Sequence, residues 1–156
     1  MKIEPLTKQG FAAFGNVVEM EGAEQRNINQ GFATRFHDLA HIDVGDGEAI
    51  ISIFTALPRP HPIAIKLMER HPLGSQLFYP LQSEDWYVLV CENPHDKKSY
   101  RTFKASGIQG VNYKPNAWHH PLLVVSRENR FLIIDRKGAG DNLEEVWLEK
   151  ELFLTL

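Results

Sequence analysis

Cysteine is almost missing from this chain. Cys91 is the only one among 156 residues, so no intramolecular disulfide can form and no thiolate zinc site can be built. No apolar run approaches the ~18 residues that a membrane-spanning helix needs. Met1 to Thr7 carries no signal-peptide core, and Gly10 and Gly15 interrupt the next stretch of chain. The compartment expected from this, and from a lone thiol, is the cytoplasm. Neither sign of charge dominates. Seventeen basic residues face twenty acidic ones, for a net charge of −3, which gives no footprint for nucleic acid or an anionic membrane. Low-complexity tracts, repeats and linkers are absent, so residues 1–156 read as one domain. Also missing are Gly-x-Ser-x-Gly, a phosphate loop, a dinucleotide fingerprint and His-Glu-x-x-His. Histidine, by contrast, is plentiful, with seven residues. Any acid–base or metal chemistry must therefore use imidazole and carboxylate.

The hydrophobic pattern is one of short strands. Ala49–Ala56, Ile63–Met68, Trp86–Cys91, Tyr100–Phe103, Leu122–Val125 and Phe131–Ile134 are apolar or alternating, and Gln76–Pro80 is a further extended run. Pro, Gly, Asn and Asp clusters bound them. Strands this short and closely spaced predict an all-β sandwich or barrel, because a parallel α/β sheet has no room for its helices. Helix is expected in one or two turns over Thr7–Gly15. A second candidate is Asn142–Glu151, where Leu143, Val146, Trp147 and Lys150 fall at helical spacing.

Three segments place polar groups where they could work. Ile63, Ile65 and Leu67 share one strand face, and the same parity continues to Glu69 and His71, with Gln76 shortly after. Burying these groups is costly unless they bond one another, a metal or a ligand. The alternative is a wet rim and an ordinary core histidine. In Gly107–Pro121, adjacent His119 and His120 face opposite sides, so at most one joins an interior site, and Trp118 shares parity with His120. A tight turn with one surface histidine is the plainer reading. Arg35 and His37 share a face suited to a carboxylate ligand, unless Arg35 simply pairs with Asp38 or another acid. Asp135-Arg136 carries the same ambiguity. His41, His61 and His95 lie in loop-like surroundings.

Glu69-Arg-His-Pro-Leu-Gly-Ser-Gln-Leu-Phe-Tyr-Pro80 and Gly110-Val-Asn-Tyr-Lys-Pro-Asn-Ala-Trp-His-His-Pro-Leu122 resemble the ureidoglycolate lyase family of allantoin degradation. Pro5-Leu6, Phe11–Gly15, Arg35–Ala40 and Ile134–Arg136 extend the resemblance over nearly the whole chain. It implies a cupin-like jelly-roll β-barrel with a few short helices, usually a homodimer, and cleavage of (S)-ureidoglycolate to glyoxylate and urea. The usual cupin metal pattern then falls on Glu69, His71, Gln76 and His120, the last through Pro115-x-Ala117-x-x-His120. Two of these four positions depart from the usual residue, and Gln76 is a weak ligand. Two alternatives stay open: one divalent ion of nickel, zinc or manganese, or a metal-free pocket in which the same side chains bind the substrate.

The implied reaction needs a base for the substrate hydroxyl and an acid for the departing nitrogen. His120 or Glu69 is expected as base, with His71 and Gln76 orienting the hydroxyl or holding the ion. Tyr113 and Lys114 are the candidate acids. Arg35, Arg70 and Arg136 are candidate carboxylate clamps, and His37 and Trp118 are further substrate-facing residues. Rival readings are an amidohydrolase that releases ammonia, a non-enzymatic binder of glyoxylate or a similar acid, and a cupin isomerase or dioxygenase whose ligands have drifted.

Overall fold

A computed structural model describes residues 1–156. Its thirteen strands are β1 (Ile3–Pro5), β2 (Gly15–Val18), β3 (Glu24–Ile28), β4 (Ala33–His37), β5 (Glu48–Ala56), β6 (Ile63–Arg70), β7 (Gln76–Pro80), β8 (Trp86–Cys91), β9 (Tyr100–Ala105), β10 (Gly110–Tyr113), β11 (Trp118–His119), β12 (Asn129–Lys137) and β13 (Glu144–Leu154). The one α-helical turn, α1, spans Lys8–Phe11, and Thr7 caps it by accepting from Gly10 N–H at 3.0 Å. Gly15, expected to end this helix, opens β2 instead. Its φ is +151°, and a Cβ there would lie 1.9 Å from the Asn112 carbonyl oxygen, so the β2–β10 approach requires glycine.

Two sheets carry the fold, ordered β1-β9-β8-β11-β6-β13 and β2-β10-β7-β12-β5, with β3-β4 as a separate hairpin. The all-β expectation holds, as a two-sheet sandwich whose hydrogen bonding does not close into a barrel. Alternation explains the packing. Trp86, Val88 and Val90 of β8 meet Phe78, Val111, Phe131 and Ile133 of the facing sheet in one core, where the Trp86 and Phe131 rings lie 4.9 Å apart. Leu89 and Cys91 point the other way, into a second core with Ile63, Ile65, Met68 and Leu154. Because β8 is buried on both faces, its sequence is continuously apolar.

Two expected elements differ from those formed. Asn142–Glu151 is not a helix, because most of it belongs to β13, paired with β6. Val146, Leu148, Leu152 and Leu154 are covered in the two-residue period of a strand, and a bulge between Trp147 and Leu152 breaks the alternation. Leu122–Val125 forms no strand. Only Leu123 bridges, to Tyr87, while Leu123 and Val124 are buried as core side chains. The alternation of β6 also slips. Ile65 and Met68 lie three residues apart yet share one core, beside the β13 bulge, so Glu69 does not share a face with Ile63 and Ile65.

Candidate active site

Past the slip, Met68 fills the outer core and Glu69 faces the space between the sheets. β11 is only two residues long and sits between β8 and β6, which brings His119 directly opposite Glu69 on one side and Val90 on the other. Cross-strand partners share a face. His119 Nε2 lies 3.5 Å from Glu69 Oε1. The His119 ring stacks on Tyr113 of the facing sheet, with centroids 4.0 Å apart and planes at 11°. Tyr113 is in turn opposite Gln76. His71 follows directly on β6, its ring 5.3 Å from that of His119. Donor atoms of Glu69, His71 and His119 all lie within 4.8 Å of one another.

Backbone carbonyls fix both imidazole tautomers. A carbonyl oxygen can only accept, so His71 Nδ1–H donates to Asn142 O at 2.6 Å and His119 Nδ1–H donates to Ala117 O at 2.9 Å. Each neutral ring is left with an Nε2 lone pair, and both Nε2 atoms are buried without a hydrogen-bond partner. Gln76 Oε1 is likewise buried and unpartnered. Glu69 and Gln76 line a cavity of about 560 Å³ with Phe54, Leu57, Arg59 and Phe78.

Charge and burial set the protonation states. Burial raises the Glu69 carboxyl, but His119 above all, then His71 and His120, more than reverse this, so it titrates below the usual carboxylate range. Burial and the neighbouring His119 lower His71, against the opposing pull of Asn142 O, Glu69 and Asp135. Tyr113 is raised by burial and then by the Glu69 charge, so it keeps its proton. Two imidazoles whose Nε2 atoms make no hydrogen bond, beside one carboxylate, suit a divalent transition ion, and the carbonyl-anchored Nδ1–H groups are the outer-shell support such ligands need. The donor set thus fits the ion that the fold family implies.

Residues 1–155 match the family model described as ureidoglycolate lyase. The chain belongs to the ureidoglycolate lyase family. It is 49% identical over 148 residues to "Ureidoglycolate lyase 1" of Rhizobium meliloti, covering 93% of this chain and 87% of that one. Identity to the ureidoglycolate lyase of Brucella anthropi is 51% over 146 residues, covering 92% and 86%. With that of Burkholderia mallei it is 46% over 158 residues, covering 99% and 93%. A solved oxalate decarboxylase from Bacillus subtilis superposes with a TM-score of 0.42 at 16% identity, over 74% of this chain and 31% of that one. That distant likeness carries no functional weight.

Within this ureidoglycolate lyase family chain, the residues singled out from sequence separate into groups. Glu69, His71, Gln76 and Tyr113 come together. His119, not His120, completes the cluster, because the β11 register rather than the motif spacing decides which imidazole faces Glu69. His120 lines a neighbouring cleft of about 400 Å³ with Arg59, Lys66 and Trp147. There its Nδ1–H donates to Pro121 O at 2.7 Å, and burial lowers its pKa to about 4.

Arg70 and Trp118 pack on each other at 4.6 Å, and Arg70 also binds Glu144, so neither lines the cavity. Arg136 is committed to Val44 O and Asp46. Arg35 is exposed on the β3-β4 hairpin, and His37 lines a separate cavity beside Lys8 and Glu19. The Lys114 side chain is exposed.

Asp135 joins the site although the sequence singles it out only beside Arg136. It shares strand parity with core residues Phe131 and Ile133, its Oδ1 is buried without a partner, and its charge acts on His71. One further step along the β12-β7 register sets it opposite Gln76. That parity is the signal in the sequence that could have found it.

Proposed function

We propose that residues 1–156 form one ureidoglycolate lyase domain that cleaves (S)-ureidoglycolate to glyoxylate and urea. The observation that carries this reading is the convergence of two unpartnered imidazole lone pairs with one carboxylate in a half-buried mouth. The substrate carbon bears a hydroxyl, a carboxylate and a urea nitrogen. When the hydroxyl proton leaves, its oxygen becomes the glyoxylate carbonyl. The C–N bond breaks with its electron pair on nitrogen, and one proton returns to that nitrogen. No water is consumed, so the reaction asks for a proton carrier and no nucleophile.

His119 Nε2 takes the hydroxyl proton, and the Glu69 carboxylate 3.5 Å away stabilises the resulting imidazolium. The same imidazolium then protonates the departing urea nitrogen. Gln76 Oε1 and His71 Nε2 orient the hydroxyl and the ureido N–H groups. Tyr113 holds the His119 plane by stacking and is a poor acid, since burial retains its proton. Glu69, His71 and His119 would also hold one ion of nickel, zinc or manganese, whose contribution when bound is to acidify the substrate hydroxyl. Asp135, with its unpartnered Oδ1, lies beside His71 and adds negative charge to this end of the site.

Incubation with racemic ureidoglycolate, with and without chelator, tests the reading. Urea and glyoxylate are expected in equal amounts. Ammonia in place of urea would favour the amidohydrolase, and absence of any product would overturn the assignment.

The same reading places the enzyme in the cytoplasm as a homodimer. Support for the dimer comes from β5, an edge strand of nine residues that exposes Ile51 and Ile53, a row suited to self-association. Light scattering at micromolar concentration would return the monomer mass if this is mistaken.

A further inference from the structure

The lyase substrate carries a carboxylate into a mouth that already holds Glu69, with Asp135 beside His71. A third negative charge there is strongly disfavoured unless a cation meets it. The chain has eight arginines. Five are engaged with acids: Arg26, Arg70, Arg101, Arg127 and Arg136. Of the other three, Arg35 is exposed on the hairpin, and Arg130 lies at a surface cleft with Leu81 and Gln82. The third is Arg59. It makes no ion pair or side-chain hydrogen bond, is half-buried, and lines both the Glu69–Gln76 cavity and the adjoining His120 cleft.

We infer that Arg59 is the residue that binds the substrate carboxylate, in place of the three arginines the sequence singled out. This rests on the lyase reading above. The local sequence supports the role. Arg59 stands between Pro58 and Pro60, so both neighbours have a fixed φ and Arg59, preceding a proline, is held extended. The backbone that carries Arg59 therefore loses little freedom when the planar guanidinium fork closes on a carboxylate. This fixes the other groups around the substrate. With the carboxylate on Arg59 at the wall shared by the two cavities, the carbinol carbon lies towards Glu69 and Gln76. His120 lines the adjoining cleft with the same arginine.

Arg59→Gln, Arg59→Lys and the surface control Arg130→Gln test this in the full chain. Wild type is assayed first for urea release. Arg59→Gln should raise KM at least ~30-fold, the lower range for truncating one partner of a charge pair. Arg59→Lys should fall between it and wild type, and Arg130→Gln should match wild type. Competitive inhibition by glyoxylate should weaken in parallel. The carboxamide analogue of the substrate should react equally poorly with wild type and Arg59→Gln, a pattern that mere loosening of the loop would not give.

An active wild type whose Arg59→Gln variant keeps KM and glyoxylate inhibition within threefold (roughly 0.65 kcal/mol at 1.36 kcal/mol per tenfold) would overturn the inference while leaving the lyase reading intact. If wild type releases no urea, the lyase reading fails separately. Glyoxylate binding by calorimetry then still judges Arg59, with loss in Arg59→Gln supporting it and unchanged binding refuting it.

Discussion

His119 and His120 are adjacent in the chain and almost equally buried, at 1% and 4% exposure, yet they serve different environments. His119 lies opposite Glu69 and stacks on Tyr113 in the space between the sheets. His120 sits in a cleft beside Arg59 and Lys66. One imidazole therefore has a carboxylate at hand to stabilise a proton it picks up, while the other is held neutral by burial, with the Arg59 charge acting in the same direction. Burial alone does not mark a working histidine. The neighbouring charge does, and a strand's two-residue period is what delivers two different neighbours to two consecutive residues.

Glu69→Gln should strike the His119 side hardest. It keeps the shape and removes the charge, so urea release should fall about 10²- to 10⁴-fold. Steady-state urea assays on the folded variant check this, and loss below tenfold would separate Glu69 from the chemistry.

The next effect belongs to the His120 side. Its folded pKa is about 4 against an ordinary 6.5, so the unfolded chain binds the extra proton between those values. The stability from holding His120 neutral is complete above pH 6.5 and lost as pH falls towards 4, up to about 3 kcal/mol. Urea denaturation at pH 7.5 and pH 5 should show a smaller drop for His120→Gln than for wild type. Equal drops would mean that His120 is not the group responsible.

The smallest change lies behind both, where Arg70 pairs with Glu144 and covers Trp118. Partly exposed ion pairs contribute little, so Arg70→Ala should cost no more than about 1 kcal/mol and leave KM unaltered. A raised KM would return Arg70 to the substrate.

Much of the fold is legible in the sequence because strands buried on one or both faces leave regular marks. Trp86–Cys91 is read at its true boundaries, and β5, β6, β7, β9 and β12 are found from their apolar runs. Asn142–Glu151 imitates a helix because two exposed apolar residues, Leu143 and Trp147, fall at helical spacing with the covered Val146. Glu69 and His71 do lie together, although the parity argument that points to them crosses a slip between Ile65 and Met68. The choice between His119 and His120 depends on a two-residue strand pairing with β6 and β8, a non-local register that no local pattern encodes. Arg59 is hidden for another reason. It lies in a proline-rich loop, where there is no periodicity from which to read a direction.

The most direct test compares His119→Ala with His120→Ala, both purified folded and assayed for urea and glyoxylate from racemic ureidoglycolate at neutral pH. A loss of about 10²-fold or more for His119→Ala, with His120→Ala within about tenfold of wild type, is the expected result. The reverse order would contradict the account and move the chemistry into the cleft beside Trp147.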